Sequence, residues 1–569
     1  MARGLTRRGL MALIGGAPVA ACAGLPHGAA LSSARPTAPP PFAHGVASGD
    51  AEARRVVIWT RLTLPEVTGA AEVAWEISED PAFTRLSASG RAATGPGCDW
   101  TVKVDANGLA PGTAYFYRFR YGDTLSPTGR TKTLPEGKAQ HLRLAAVSCA
   151  HLAHGYFNVY DHIARRSDLD AVIHLGDYLY SQKAGGFAGA PDEIAGRVHR
   201  PAQEAATLAD YRTRHAQYKE DPALQALHAA HPVYAIWDDH EFANDASRDG
   251  APGHDGDAES WRARQAAALK AWHEWMPVRE AEGDPARRYM TARFGDLATI
   301  CFLETRASAR DASIGFGAMA AQAADADGIA ALRAVLADEA RQKLGPDQLA
   351  LLEQGFRSSG DGWLILANPT LMARVKTPDV RPYLSPDALA ELKARWPEAE
   401  GFLAAAEHGL PLLLDSWDGY AAERERLYAA LANAGRHDAL VLTGDTHSWW
   451  VNTLSSADGS LMGVELAVSS VSAPSALGPR LIGSRSRDLA LLVTRDNPAV
   501  RYVSGETHGY LDLELGREEG IARFLAVDSI AGPDYRVFEE ARFRLSRKEG
   551  QLTTGGPRGL GLRQRWLFR

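Results

Sequence analysis

Four apolar runs in this chain each end in residues that can bind a cation, and that recurrence constrains the fold more than any other feature. Leu142–Val147 leads into Ser148-Cys149, and Ala171–Leu175 into Gly176-Asp177-Tyr178-Leu179-Tyr180. Residues 233–237 lead into Asp238-Asp239-His240-Glu241, and Ala439–Thr443 into Gly444-Asp445-Thr446-His447. Short apolar runs bounded by turn residues read as buried strands. In open α/β sheets, ligands bind beyond the carboxyl ends of strands. Four strand ends that bring carboxylates, imidazoles, a thiolate and a phenolate to one rim predict a multinuclear metal site.

The chain around these motifs is long enough for two domains, at 569 residues. Its net charge of -7 is spread along the sequence, with no basic stripe of the kind that binds nucleic acid. Residues 1–25 read as a twin-arginine signal, with Arg7-Arg8 before a modest apolar stretch that is too short and too broken by Gly and Pro to span a membrane. Export would make the protein periplasmic, envelope-bound or secreted. Val19-Ala20-Ala21-Cys22 also resembles a lipobox, so Cys22 is a candidate lipid anchor. Residues 26–41, rich in Pro and Ala, read as a linker.

Residues 42–135 show short strands separated by turns, as in a small β-sandwich; an N-terminal extension of the main sheet is the alternative. From 142 to 569 strands alternate with helical segments, which predicts an α/β domain. The expected helices include 158–165, 211–229 and 258–275, and further buried strands are expected at 298–303 and 363–367. The Ala-rich segment 318–343 is helical in pattern and is expected to cover an edge or the site mouth. Outside the leader and Cys149, only Cys98 and Cys301 remain, which is no disulfide framework.

The motif residues suggest roles. Asp177 can bridge two cations, because its two oxygens point to different metals. Tyr180 is a candidate phenolate ligand, a type that favours iron(III), while Tyr178 is expected to pack. Cys149 would bind as a thiolate, which coordination deprotonates. His151 is a weaker candidate for the same cation. Asp239 is expected to be a ligand, His240 a proton donor, and Asp238 and Glu241 groups that orient His240. Asp445 and His447, two apart in what reads as an extended stretch, would face one site. Arg306 offers a guanidinium fork to phosphate oxygens, and Arg310 reads equally well as a surface salt-bridge partner.

Together these motifs resemble the calcineurin-type metallophosphoesterase superfamily, and most closely its PhoD-type alkaline phosphatase/phosphodiesterase branch. Cys149 stands at the superfamily's first Asp position, Asp239 at its Asn, and Asp445 at the first His of the last motif. Ala271-Trp272-His273-Glu274-Trp275-Met276-Pro277-Val278-Arg279 and Asp415-Ser416-Trp417-Asp418-Gly419-Tyr420 with Arg424 are similar to further segments of that branch. Glu304 departs from it, since Asp is expected before Thr305-Arg306.

The resemblance implies a four-layer α/β/β/α sandwich with an N-terminal Ig- or fibronectin-III-like all-β domain. It implies iron(III) on Cys149, Asp177, Tyr180 and His447, and calcium or another divalent cation on Asp177, Asp239 and Asp445. The implied reaction is hydrolysis of phosphomonoesters or phosphodiesters by metal-activated hydroxide, with His240 protonating the leaving oxygen. A phospholipase-like phosphodiesterase is an alternative, and a non-catalytic envelope-binding protein a more distant one.

Overall fold

The computed structural model describes residues 29–557 apart from 65–68, 187–192, 316–317, 320–321, 323–325, 396–398, 476 and 478–485. The leader and Cys22 lie outside the described residues. Among the described residues, no helix is long and apolar enough to cross a membrane.

Each motif strand is apolar along most of its length because each buries both faces, with Arg143 and His174 as the polar exceptions inside the first two. Leu144 and Ala146 enter one core together with Ile173, Leu175, Tyr234 and Ile236. Their alternates Ala145, Val147, Val172, Val233 and Ala235 enter a second core. In the same way Leu440 and Leu442 join the first core, while Ala439 and Val441 join a third. Side chains alternate across a strand, so a continuous apolar run is the signature of a sheet covered on both sides.

The strands belong to two sheets. Leu142–Val147, Ala171–Leu175 and Pro232–Ile236 are parallel neighbours inside a ten-stranded sheet. Ala298–Phe302, Trp363–Ala367, Ala439–Thr443 and Leu461–Ala467 are parallel neighbours inside a seven-stranded one. The first core lies between these sheets. On its other face the ten-stranded sheet packs against helices that include Leu208–Lys219 and Ala258–Trp275, and the seven-stranded sheet against Pro346–Ser358 and Ala421–Asn433.

The two readings of the N-terminal region combine in one arrangement. Val46–Gly49, Arg55–Arg61 and Thr101–Asn107 continue the ten-stranded sheet, through pairing of Pro232 with Ser48 and of Val233 with Gly49. Ala71–Ser78, Leu86–Thr94 and Ala114–Tyr121 belong to a separate five-stranded sheet that packs on them. Part of the N-terminal region is therefore built onto the ten-stranded sheet. A buried ion pair reinforces this junction: Arg288 donates to both oxygens of Asp50, at 2.8 and 2.7 Å.

Three local expectations need correction. The single helix expected over 211–229 is two, Leu208–Lys219 and Pro222–Ala230. Pro222 has no N–H to continue the first helix, and Asp221 caps the second by accepting from Ala223 and Leu224. The segment 29–41 is bound to the body: Leu31–Ser32 pairs with Asp534–Tyr535, and Ser33 Oγ donates to Asn158 at 2.7 Å. Within 318–343, which lies partly outside the described residues, the helix Ala326–Leu336 ends before Lys343, a buried loop residue that donates to the Asp415 carbonyl at 3.1 Å. Cys98, Cys149 and Cys301 are free thiols.

Replacing Arg288 by Met leaves the Asp50 carboxylate buried without its partner, and is expected to cost about 3–5 kcal/mol by chemical denaturation. Adding Asp50→Asn should recover part of that loss. A double variant as unstable as the sum of the two single changes would show that the pair does not hold the junction.

Candidate metal centre

The four motif turns meet where the carboxyl ends of the two sheets converge. They approach so closely that side chains would not fit at two positions. A Cβ on Gly176, whose φ is +102°, would stand 2.6 Å from Asp238 Cβ. A Cβ on Gly444 would stand 2.7 Å from Ser148 Cβ, so the fourth motif abuts the first across the two sheets.

The donors themselves sit on strained backbone. Among the described residues, ten non-glycine residues have positive φ, and Cys149, Asp177, Asp245, Asp445 and His447 are five of them. Each such residue costs of order 1–3 kcal/mol, and such residues cluster at functional sites. This corrects the extended geometry expected for Asp445 and His447: both adopt left-handed φ, of 62° and 54°.

Glu241 fixes the second and third turns to each other. Its carboxylate accepts the backbone N–H groups of Asp177 at 3.1 Å, Tyr178 at 2.6 Å and Asp238 at 2.9 Å. The oxygens expected to orient His240 are thus occupied by backbone. Asp238 is paired through one oxygen with Arg306.

Two groups of ligand atoms result. Cys149, Asp177 and His447 form one, and Asp177, Asp239 and His240 the other, each with its atoms within 4.8 Å of one another. Asp177 is common to both. The Tyr180 hydroxyl donates to Asp177 Oδ2 at 3.2 Å and lies 3.0 Å from His447 Nε2, which places it in the first group. His447 Nδ1 is 2.8 Å from the Pro474 carbonyl, so Nδ1 carries the proton and Nε2 presents its lone pair to the site. The His240 ring stacks on Tyr180, with centroids 4.1 Å apart. His151 lies on another side of Tyr180, at 4.4 Å, in a column with His154 and His199, and Tyr178 packs as expected, its hydroxyl 2.8 Å from His228 Nε2.

The electrostatics call for cations. Burial, then Asp239, Asp238 and Glu241, push the Asp177 carboxyl well above its usual range. Burial, then Asp177, does the same to the Cys149 thiol. Burial pushes Glu241 up to about 8, and Asp445 well up, with Asp238 and Asp415 adding to the effect. Asp239 Oδ1 is buried with no hydrogen-bond partner. Arg306 faces Asp238 and Asp239 and helps hold the Asp239 carboxyl below its usual range, but Asp177, Cys149 and Asp445 are left pushed up. Carboxylates, a thiol, a phenol and imidazoles so crowded form a donor set that fits bound metal.

Arg306 occupies a different place from the one expected of a substrate-binding residue. It is wholly buried, pairs with Asp238, and reaches Asp415 at 2.8 Å. Arg310 is equally buried and pairs with Asp415, rather than lying on the surface. Burial works against the Asp415 carboxylate, but Arg306, Arg310 and Lys343 hold it below the usual range. Glu304 positions this loop by accepting from the backbone of Arg306, Ala307 and Ser308 and from Trp237 Nε1.

Two carboxylates at the mouth went unassigned in the sequence. Asp415 lay inside the family-like Asp-Ser-Trp-Asp-Gly-Tyr segment, which was a usable signal. Asp245, whose N–H donates to Asp239 Oδ2 at 2.5 Å, carries no local signature.

Residues 144–524 match the family model described as PhoD-like phosphatase, and residues 28–135 that of its N-terminal domain. The chain belongs to the PhoD-like phosphatase family. It is therefore a phosphoric ester hydrolase. Alkaline phosphatase D of Bacillus subtilis (strain 168) is 30% identical over 519 residues, spanning 88% of this chain and 80% of that protein. A solved structure titled "Structure of PhoD" superposes with a TM-score of 0.74 at 28% identity, covering 92% of this chain and 93% of the other. That likeness extends to the mixed sheets, the helices and the N-terminal strands of this PhoD-like phosphatase.

Arg306→Met should lower kcat by at least tenfold while changing KM little, because the residue organises Asp238 and Asp415 rather than touching substrate. A variant with raised KM and unchanged kcat would return Arg306 to the role of phosphate ligand.

Proposed function

We propose that this chain is an exported, metal-dependent phosphoesterase that hydrolyses phosphomonoesters, phosphodiesters or both. The observation that carries the reading is Asp177, a carboxylate shared by two groups of ligand atoms. Iron(III) on Cys149, Asp177, Tyr180 and His447 suits a soft thiolate beside a phenolate. Calcium or another divalent cation on Asp177 and Asp239, with Asp445 beside them, suits an oxygen-rich second position. The twin-arginine leader, a possible lipid at Cys22 and delivery to the periplasm, envelope or medium complete the reading. So do the domain limits, with a β-sandwich at 42–135 and a catalytic domain from 142. The three cores support the four-layer α/β/β/α description, and the five-stranded sheet supports an Ig- or fibronectin-III-like N-terminal domain.

Bound cations would polarise the phosphoryl oxygens and lower the pKa of a water. The residues of the chain do the rest. Asp177 and Asp239 would hold the cations, with Glu241 locking the turns that carry them. Tyr180 supports the His240 ring by stacking. Burial lowers the proton affinity of the His240 imidazole and Asp239 opposes that; in its protonated form His240 would deliver a proton to the departing oxygen.

A second reading of His240 has its own support, since its ring nitrogen lies among the ligand atoms of Asp177 and Asp239. His240→Ala separates the two. A proton donor predicts metal content near that of the wild type, with activity falling about 10²–10⁴-fold on poor leaving groups. A ligand predicts that metal is lost along with activity. Neither effect would remove His240 from the site.

The reading as a whole is tested with p-nitrophenyl phosphate and its bis-ester, assayed side by side on protein carrying its native metals and supplied with calcium. Hydrolysis that is abolished by chelation and restored by metal is expected, and the ratio of rates sets monoester against diester preference. No hydrolysis of either ester by fully loaded protein would overturn it.

A further inference from the structure

One helix holds the ligand loops of the ten-stranded sheet. Leu208–Lys219 begins in a capping box between Thr207 and Asp210. Its inward face carries Tyr211, Arg214 and Tyr218, spaced i, i+3 and i+7, so the three lie along one stripe. All are buried polar side chains in a position where apolar ones would serve for packing alone.

Each grips a different part of the site. The Tyr218 hydroxyl oxygen accepts the Leu152 N–H at 3.1 Å and the Tyr180 N–H at 3.2 Å. One oxygen thereby joins the loop after Cys149 to the loop that carries Tyr180. His199 Nε2, 3.2 Å away, can receive the Tyr218 proton and leave both lone pairs of the phenol facing the amides. Arg214 holds the same Tyr180 from the other side. Its guanidinium donates to the Tyr180 carbonyl, to Gln182 at 3.1 Å, to Arg200 at 3.1 Å and to Pro201 at 2.9 Å. Tyr211 donates to the Phe242 carbonyl at 2.5 Å, just after Asp239 and His240, and Arg264 bonds both Tyr211 and that carbonyl.

We propose that Leu208–Lys219 is the positioning element of the site, in which Tyr218 and Arg214 clamp Tyr180 by its N–H and its C=O, and Tyr211 sets the loop of Asp239 and His240. This rests on the metal-site reading above and adds residues that touch no substrate. The peptide groups on both sides of Tyr180 are fixed, so its ring has one place to go, over His240 and beside His447. Buried polar side chains justify their desolvation only when every donor and acceptor is used, and here the backbone of three loops uses them.

The test compares Tyr218→Phe and Arg214→Lys with Tyr160→Phe. The last removes an equally buried hydroxyl, bonded to His174 Nε2 at 2.7 Å, outside these loops. Hydrogen exchange is read at the Leu152 and Tyr180 amides, together with the rate at which a chelator strips metal and with kcat and KM. Tyr218→Phe should speed exchange at both amides about tenfold. It should also speed metal loss about 10–100-fold, and lower kcat with KM nearly unchanged. Arg214→Lys, which keeps the charge but not the fork, should do the same at Tyr180 while sparing Leu152. Tyr160→Phe should move none of these.

Exchange at Leu152 and Tyr180 no faster in Tyr218→Phe than in Tyr160→Phe would overturn the proposal. Should Tyr218→Phe fail to fold, unaltered exchange at Tyr180 in Arg214→Lys would overturn it equally. A wild-type chain that binds no metal would sink the functional reading, and the amide measurements would still decide the positioning role.

Discussion

The repulsion among buried carboxylates dominates this structure. Asp177, Asp238, Asp239, Glu241 and Asp445 share one rim, and burial together with their mutual charge drives most of them toward the neutral acid. Such a cluster persists only where something supplies opposite charge or hydrogen bonds. The fold answers in three ways. Glu241 is satisfied by three backbone N–H groups, one oxygen of Asp238 is paired with Arg306, and Asp177 and Asp239 share the group of ligand atoms where a cation fits. The surrounding architecture serves to keep that arrangement closed.

That architecture distributes the strain as well as the charge. Cys149, Asp177, Asp445 and His447 hold left-handed backbone that their side chains do not favour. Local preference alone would relax these turns. They are held because parallel strands fix where each turn begins, and because Gly176 and Gly444 let the turns touch. The two sheets contribute unequally: three motif turns come from one and a single turn, carrying Asp445 and His447, from the other.

Much of this was legible in the sequence, for a physical reason. A strand buried on both faces must be largely apolar, so Leu142–Val147, Ala171–Leu175 and Ala439–Thr443 stand out by composition. The donor residues follow each strand directly, so they were legible with it. Arg306 was misplaced because its partners lie far along the chain: Asp238 is 68 residues away and Asp415 belongs to another loop. Asp245 has no motif, and its proximity to Asp239 arises from a turn that the sequence does not announce. The helix 208–219 was harder still. The sequence assigns Tyr211, Arg214 and Tyr218 no role beyond a helical segment, and only tertiary contacts show that they point inward.

The order of strands in the ten-stranded sheet also sets a schedule. Leu142–Val147, which carries Cys149 at its end, has as one neighbour His508–Leu515, with Leu142 opposite Leu515. During synthesis the first ligand strand therefore emerges long before the strand that closes its open edge. Until the ribosome has released almost the entire polypeptide, Cys149 sits at the end of a strand whose second neighbour is still missing. The first motif strand to be made thus waits for one of the last strands of the chain before its edge is closed.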